Sequence, residues 1–438
     1  MRRKIILFGA GGCALLFILL VAFALLLPYL VNLESIREKI EALLSQRVGG
    51  RVAYQKMDPF FFPRPGVEVR QVTLSINDKV AGTAKSVQVY PELLALLKGK
   101  FGVDRIQIES PDFVVRFPME RAEVKERPEG TAPKELKEFV ARVAGTIPSL
   151  KVAIKDGRLN LVKGSKTVLS LNDLKADMIG PPGEAKIKIA CRSNLWNSMS
   201  AEAAIDPADL KGQGRIEIAS FRPHLLSGFL RADFPLKVTD SEINLNIGFK
   251  TKGEGIYQAV LEGSLSKLTF EEGGQETAIK GRRFRGAFEI QGESIDISLG
   301  ELNLEYPRLT LSGRFKIDQK APLLLLEVQG REIDVASTRQ VTLRLAGKIP
   351  VMNTIFGFVR EGRIPLITFQ SQGRRMSDLD ETERFTIKGN ILDGKISIPI
   401  REPEGNREEF ILDKAAGDVA ILRGILEGRN LKAHWEEQ

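Results

Sequence analysis

The chain has 438 residues, with 43% apolar and 27% charged, a composition that excludes both a disordered tail and a polytopic membrane protein. Its formal net charge is +8, with acids and bases interspersed and no Lys/Arg tract carrying interleaved aromatics, so nucleic-acid binding has no footprint. Two cysteines (Cys13 and Cys191) and two histidines (His224 and His434) exclude a disulfide scaffold, a His-centred triad and a multi-His metal site.

Apolar residues are concentrated at the N-terminus. Met1-Arg2-Arg3-Lys4 precedes an uncharged run from Ile5 to Val31. A bilayer core of about 30 Å needs about 20 apolar residues as a helix, so the run is long enough to span. A cleavable signal peptide has an apolar region of about 7–15 residues, shorter than this one. Ala22-Phe23-Ala24 has the look of a cleavage site, but Leu25-Leu26-Leu27 follows where a mature chain would turn polar. A lipoprotein reading at Cys13 fails because Ala10-Gly11-Gly12 precedes it and a long apolar run follows. The expectation is an uncleaved signal anchor over 1–31. The basic leader places the N-terminus in the cytoplasm and everything from Asn32 onward outside it.

Asn32 can cap a helix with Ile36, Ile40, Leu43 and Leu44 on one face, stopped by Gly49-Gly50. From Arg51 the period becomes two. Val67/Val69, then Val72/Leu74/Ile76, Val87/Val89 and Ile106/Ile108 read as strands. Val152-x-Ile154, Asp156-Gly157 and Leu159-x-Leu161 read as a hairpin. Alternation continues through Ile187/Ile189, Ile216/Ile218, Ile243 to Phe249, Phe288/Ile290, Ile295 to Leu304, Leu309 to Ile317 and Ile387 to Ile398. Roughly 20 strands result. Short helices are predicted at Pro91–Leu97, after Thr131 (Leu136, Phe139, Val140 and Val143 on one face), near His224–Leu230, after Ser337 with Gln340 completing a capping box, and over Val351–Val359.

The segment Glu120–Pro133, with Pro128, Gly130 and Pro133, reads as a linker. The expected organisation is a leader and anchor over 1–31, an N-terminal unit of amphipathic helix and strands over 32–120, a linker over 121–133, a β-rich region over 134–334 and a region of helices and strands over 335–438. The expected fold class is a transmembrane helix followed by a mostly-β (α+β) body, a long curled antiparallel meander forming a groove, with short helices. Strands with one apolar and one polar face bury the apolar face either by stacking or closing into a sandwich or barrel, or by curling into a trough whose interior stays partly open.

Several stretches resemble the AsmA family of membrane-anchored Gram-negative envelope proteins, related to TamB-like and bridge-like lipid-transfer proteins. The first is the basic leader, the span, then Asn32-Leu33-Glu34-Ser35-Ile36-Arg37 opening a helix that ends in Gly49-Gly50-Arg51-Val52. The second is the aromatic–proline loop from Phe61-Phe62-Pro63 running into Val67-Glu68-Val69. The third joins Ala84-Lys85-Ser86-Val87-Gln88-Val89, Leu97-Lys98-Gly99-Lys100 and Val103 to Pro111. The fourth is Val152 to Leu161, and the tail Gly417 to Gly428 is similar to AsmA-like C-terminal regions. The resemblance implies an inner-membrane protein with a periplasmic β-rich groove that binds or conducts lipid and supports outer-membrane biogenesis, without catalysis, cofactor or metal. The alternative is an anchored scaffold for outer-membrane proteins with closed apolar faces. An anchored hydrolase is a remote third.

Two features carry the lipid reading. Phe60, Phe61 and Phe62 form an aromatic loop that either plugs the sheet core or contacts lipid where acyl chains reach a groove. The apolar strand face, represented by Ile154, Leu159 and Leu161, is either a closed core or the lining of such a groove. Expected partners are the inner membrane, a phospholipid or other acyl lipid, and no nucleic acid. Alternation runs on to Leu431, Ala433 and Trp435, so either the last strand is an open edge for an envelope protein or the reading frame is truncated. Lys163-Gly164-Ser165-Lys166-Thr167 lacks phosphate-loop spacing and reads as a hairpin turn. His224, after Pro223, reads as a capping or surface residue. Asp378, Asp380, Glu381 and Glu383 read as a solvated loop.

Overall fold

The computed structural model describes residues 51–435 apart from 77–79, 93–94, 96–101, 118–149, 181–182, 207–208, 227–236, 254, 273, 319, 321, 348–349, 382 and 402–406. The expected anchor, the helix after Asn32, the linker, the helix after Thr131 and most of the predicted Pro91–Leu97 helix lie outside the described residues. No helix among the described residues is long and apolar enough to cross a membrane. The described chain is mostly β, in two compact units divided after Ile179.

The first unit holds β1 (Arg51–Ala53), β2 (Lys56–Phe60), β3 (Gly66–Ile76), β4 (Val80–Pro91), β5 (Val103–Glu109), β6 (Asp112–Phe117), β7 (Lys151–Lys163) and β8 (Lys166–Ile179). β1 and β2 pair in succession along β3, and β3 pairs with β4, all antiparallel. β5 and β6 behave as one strand broken at Ser110-Pro111, because both pair with β4 on one side and β7 on the other. Their pairing with β7 is parallel, which departs from the expected meander. Parallel neighbours need a connection of a dozen or more residues, and 33 residues separate β6 from β7 in the chain.

β7 corrects the hairpin expected at Asp156-Gly157. The chain runs through as one strand, with an irregular register on either side of Gly157. Asp156 is left-handed, φ 52°, and absorbs the extra residue of a bulge. Gln71, Ser110 and Asp173 are also left-handed, and with Asp156 they mark a line of breaks across the sheet. The extra residue reverses the alternation, so Ile154 and Leu159 face one side although five residues apart. A Cβ at Gly157 would lie 3.1 Å from Ile154 Cγ2, which places both positions on that side. The hairpin expected at Lys163–Thr167 is present: Gly164, φ 62°, turns β7 into β8.

The second unit is one antiparallel sheet from β9 to β21, each strand paired with its neighbours in sequence. The strands are β9 (Ala185–Ser193), β10 (Ser198–Ile205), β11 (Lys211–Phe221), β12 (Lys237–Lys252), β13 (Ile256–Glu272), β14 (Gln275–Gln291), β15 (Ser294–Tyr306), β16 (Leu309–Asp318), β17 (Leu323–Asp334), β18 (Val359–Gly373), β19 (Phe385–Arg401), β20 (Arg407–Leu422) and β21 (Ile425–His434). Among the described residues β9 and β21 do not pair with each other, and no second sheet faces this one within the unit.

Two helices interrupt the meander between β17 and β18: α1 (Val335–Ala346) and α2 (Pro350–Phe358). The expected cap at Ser337 is corrected to Asp334, whose carboxylate accepts from the Ser337 N–H at 3.0 Å. Asp is as good a cap as Ser, and the strand itself delivers Asp334 to the helix start. Gln340 does not complete a capping box; its Oε1 accepts from the Tyr306 hydroxyl at 2.9 Å. The helix predicted near His224 is a short 3-10 turn, Pro223–Leu226, within the described residues. His224 ties that turn to β12: its Nδ1 accepts from the Ser241 N–H at 2.9 Å, and its own N–H donates to Ser241 Oγ at 3.0 Å.

Candidate functional site: an apolar sheet face

Directly paired residues of neighbouring strands share a face, so the register of the second unit can be followed as rows. One row crosses all thirteen strands: Cys191, Met199, Ile218, Leu245, Gly263, Phe284, Leu302, Leu311, Gly330, Ile367, Gly389, Val419 and Gly428. Every member is apolar or glycine. The next row, two residues along, includes Ile189, Ile216, Ile247, Leu261, Leu299, Val328, Phe369 and Ile387. A third passes through Ile187, Phe249, Phe288, Ile297, Phe315, Leu326 and Phe385, with Ser371 its one polar member. A fourth takes Ile205, Tyr257, Ile290, Ile295, Ile317 and Leu324. At about 4.8 Å per strand the longest row extends about 58 Å, and four rows at about 6.7 Å spacing cover about 20 Å of each strand.

The opposite face is charged. Lys188 Nζ lies 2.8 Å from Glu202 Oε1, Arg285 Nε 3.1 Å from Glu262, and Lys267 Nζ 2.7 Å from Asp240. Arg314 grips Asp296 with both Nε contacts at 3.0 Å, and its guanidinium holds the Asp296 carboxyl below the usual carboxylate range. Exposed pairs of this kind contribute little to stability each. Their consequence is that these ions lie on one face, while the four rows of the other hold none.

Burial of the apolar face is graded. Met199, Ile218, Leu245, Leu261, Phe288 and Leu299 are only half-buried, and Ile297 is 43% exposed. Toward β17–β19 the face is covered, with Phe385 2% exposed, Ile391 3% and Ile387 8%. One cover is α1. It contributes the buried Val335 and Val341, and its Arg344 reaches back to Thr277 Oγ1 on β14 at 3.2 Å. Beneath that end lies a core of Leu265, Leu304, Leu309 and Ile333. The other cover is the 3-10 turn Met376–Asp380, whose Leu379 is buried and whose carbonyl accepts from Ser371 Oγ at 2.9 Å.

That turn corrects the solvated acidic loop at Asp378 alone; Glu381 and Glu383 are exposed, as expected. Asp378 is buried, and its Oδ2 accepts from Arg374 N–H at 2.7 Å, Arg375 N–H at 3.1 Å and Arg384 Nη1 at 3.0 Å. The Arg374 N–H is the first cause holding its carboxyl below the ordinary range, against a desolvation that pushes the other way. Among the described residues no group of carboxylates, cysteines and histidines is placed to hold a metal.

Ile154, Leu159 and Leu161 are brought together on the apolar face of the first unit. Met57, Val69, Val87, Ile108 and Ile154 form one of its rows, and Gly82, Phe113, Leu159 and Leu171 another. All three candidates are half-buried. The aromatic triplet is split. Phe60 packs edge-on against Tyr90 at 5.4 Å and lies over Gly66, where a Cβ would come within 2.5 Å of its ring. Phe61 and Phe62 point away, 42% and 89% exposed.

Sequence reasoning named the strands of the second unit but none of its residues as candidates. A signal was present in glycines that take apolar positions in the alternation. Gly214 lies under the Phe249 ring and Gly263 under Phe284, where a Cβ would meet ring atoms at 2.4 and 2.7 Å. Each glycine makes room for a neighbouring strand's ring to lie across the sheet. Comparison of the chain with protein families, characterised proteins and solved structures finds no match.

Proposed function

We propose that the protein is a membrane-anchored lipid-binding or lipid-conducting protein, of the kind its resemblance to the AsmA family implies, and that the apolar sheet faces are the lipid surface. The reading places the chain in a Gram-negative inner membrane with the described body in the periplasm. The single observation that carries it is the apolar row crossing thirteen strands, whose members from β10 to β16 are half-buried. A protein core of that size ordinarily finds a cover, and among the described residues α1 and the turn Met376–Asp380 lie over its β17–β18 end. Acyl chains lying on the face would gain about 0.8 kcal/mol per buried methylene, and about 20 Å of apolar strand exceeds one leaflet of a hydrocarbon core about 30 Å thick. Headgroups would stay beyond the strand ends, and no chemical step is required. Ile154, Leu159 and Leu161 would serve in the first unit as Ile216 and Leu261 serve in the second.

The test is photo-crosslinking in cells with the full chain. Probes at Leu159 and Leu261 are expected to capture lipid, while a probe at Val260, on the charged face, captures none. Lipid-free adducts at both apolar positions, in protein that is folded and abundant, would overturn the reading.

A second reading rests on β21, which among the described residues pairs only with β20 and carries exposed Ile425 and Leu431, with exposed Trp435 just after it. Such an edge can add a partner's strand. Under this reading the protein is a scaffold for an outer-membrane protein, and crosslinks at Leu431 capture protein rather than lipid.

A further inference from the structure

The loop between β2 and β3 presents a lone apolar tip. Phe62 is 89% exposed and Phe61 42%, whereas Phe60 two positions earlier is seated against Tyr90. Arg64, 71% exposed, stands beside them with its nearest carboxylate, Asp104, 3.8 Å away. Single exposed apolar residues are ordinary, but two adjacent rings on a short turn, held out by a packed third ring and flanked by a cation, are the composition of a bilayer-interface tip.

The chain outside the described residues supports the same partner. β1 pairs with the far end of β3, Arg51 opposite Ser75, while Phe60 pairs with Gly66 at the near end. Those two points are nine strand residues apart, about 30 Å. The helix that the sequence predicts between Asn32 and Gly49 would measure about 26 Å. The 19 residues between Val31 and Arg51 are long enough to bridge that distance, so the end of the apolar run is within reach of the Phe62 end.

We infer that the Phe61–Phe62 loop inserts its rings into the interface of the bilayer that holds the N-terminal anchor, with Arg64 at the anionic headgroups. The inference rests on the anchor part of the proposed function and not on the groove. The loop is then a second point of membrane attachment that sets the orientation of the first unit on the bilayer.

The experiment uses the full chain with Trp196 and Trp435 replaced by Phe and a single Trp introduced by Phe62→Trp. It is reconstituted in phosphatidylethanolamine–phosphatidylglycerol vesicles with or without brominated acyl chains. A matched chain carries Val260→Trp instead. Because Phe62 is exposed, the substitution leaves the fold intact, which circular dichroism checks. Trp at 62 is expected to emit to the blue of Trp at 260 and to be quenched by the brominated lipid, with Trp at 260 unaffected. Solvent-like, unquenched emission at 62 in chains that resist carbonate extraction overturns the inference while leaving the anchor standing. Chains that carbonate strips from the vesicles overturn both. Quenching at 62 together with no lipid capture at Leu159 and Leu261 leaves the loop standing and removes the groove.

Discussion

At the residue scale, a single buried carboxylate organises the turn that follows β18. Asp378 sits in an acidic stretch whose composition indicates solvent, yet three donors converge on one of its oxygens. The carboxylate faces those donors rather than water, and the turn's Leu379 is buried. Its folded-state carboxyl is depressed, so the stability it contributes is present above the ordinary carboxylate pKa of about 4 and disappears as pH falls through the lower folded value. Thermal unfolding of the wild type and Asp378→Asn should therefore show a gap at neutral pH that narrows as pH drops below about 4. A gap of constant size across that range would remove the ionised carboxylate from the explanation. The three phenylalanines make a related point. Identical in sequence, they part company because Gly66 and Tyr90 form a seat for Phe60 and nothing comparable stands beside Phe62.

At the scale of elements, the period-two alternation specified the strands because a one-residue slip would exchange a charged face for an apolar one. It did not specify where a strand continues through a defect. Asp156-Gly157 carries turn chemistry, but β7 runs on because Gln71, Ser110 and Asp173 break neighbouring strands on the same line and the apolar face is kept. The helix α1 shows the opposite dependence. Its start was read three residues late, since Ser337 and Asp334 are both good caps and only the end of β17 decides between them. Asp334→Ala should cost about 1 kcal/mol in chemical denaturation through loss of the cap, whereas Ser337→Ala should cost less. Equal losses would mean that the Asp334 carboxylate is not the cap that matters.

At the scale of the molecule, the second unit is a chain of hairpins laid side by side, and its stability is correspondingly uneven. Phe385, Ile387 and Ile391 are enclosed, while among the described residues β21 has one neighbour and projects Ile425 and Leu431 into solvent. Native-state hydrogen exchange should find the slowest amides in β17–β19 and fast exchange along the outer side of β21. Uniform protection across the sheet would indicate a cover on β9–β16 and β21 that the described residues do not contain. The graded burial also carries the functional proposal, because the same open stretch that loses protection is the one offered to acyl chains.

The sequence by itself determined that the body is mostly β, which residues alternate, that imidazole and thiol chemistry is scarce, and that one long apolar run precedes everything else. These follow from local periodicity and composition, which a single strand already expresses. It could not determine which strands are neighbours, that β5 and β6 run parallel to β7, or that apolar positions align over thirteen strands with α1 lying against β17 and β18. Those depend on register, bulges and the placing of α1, and register is a relation between strands that no strand carries alone.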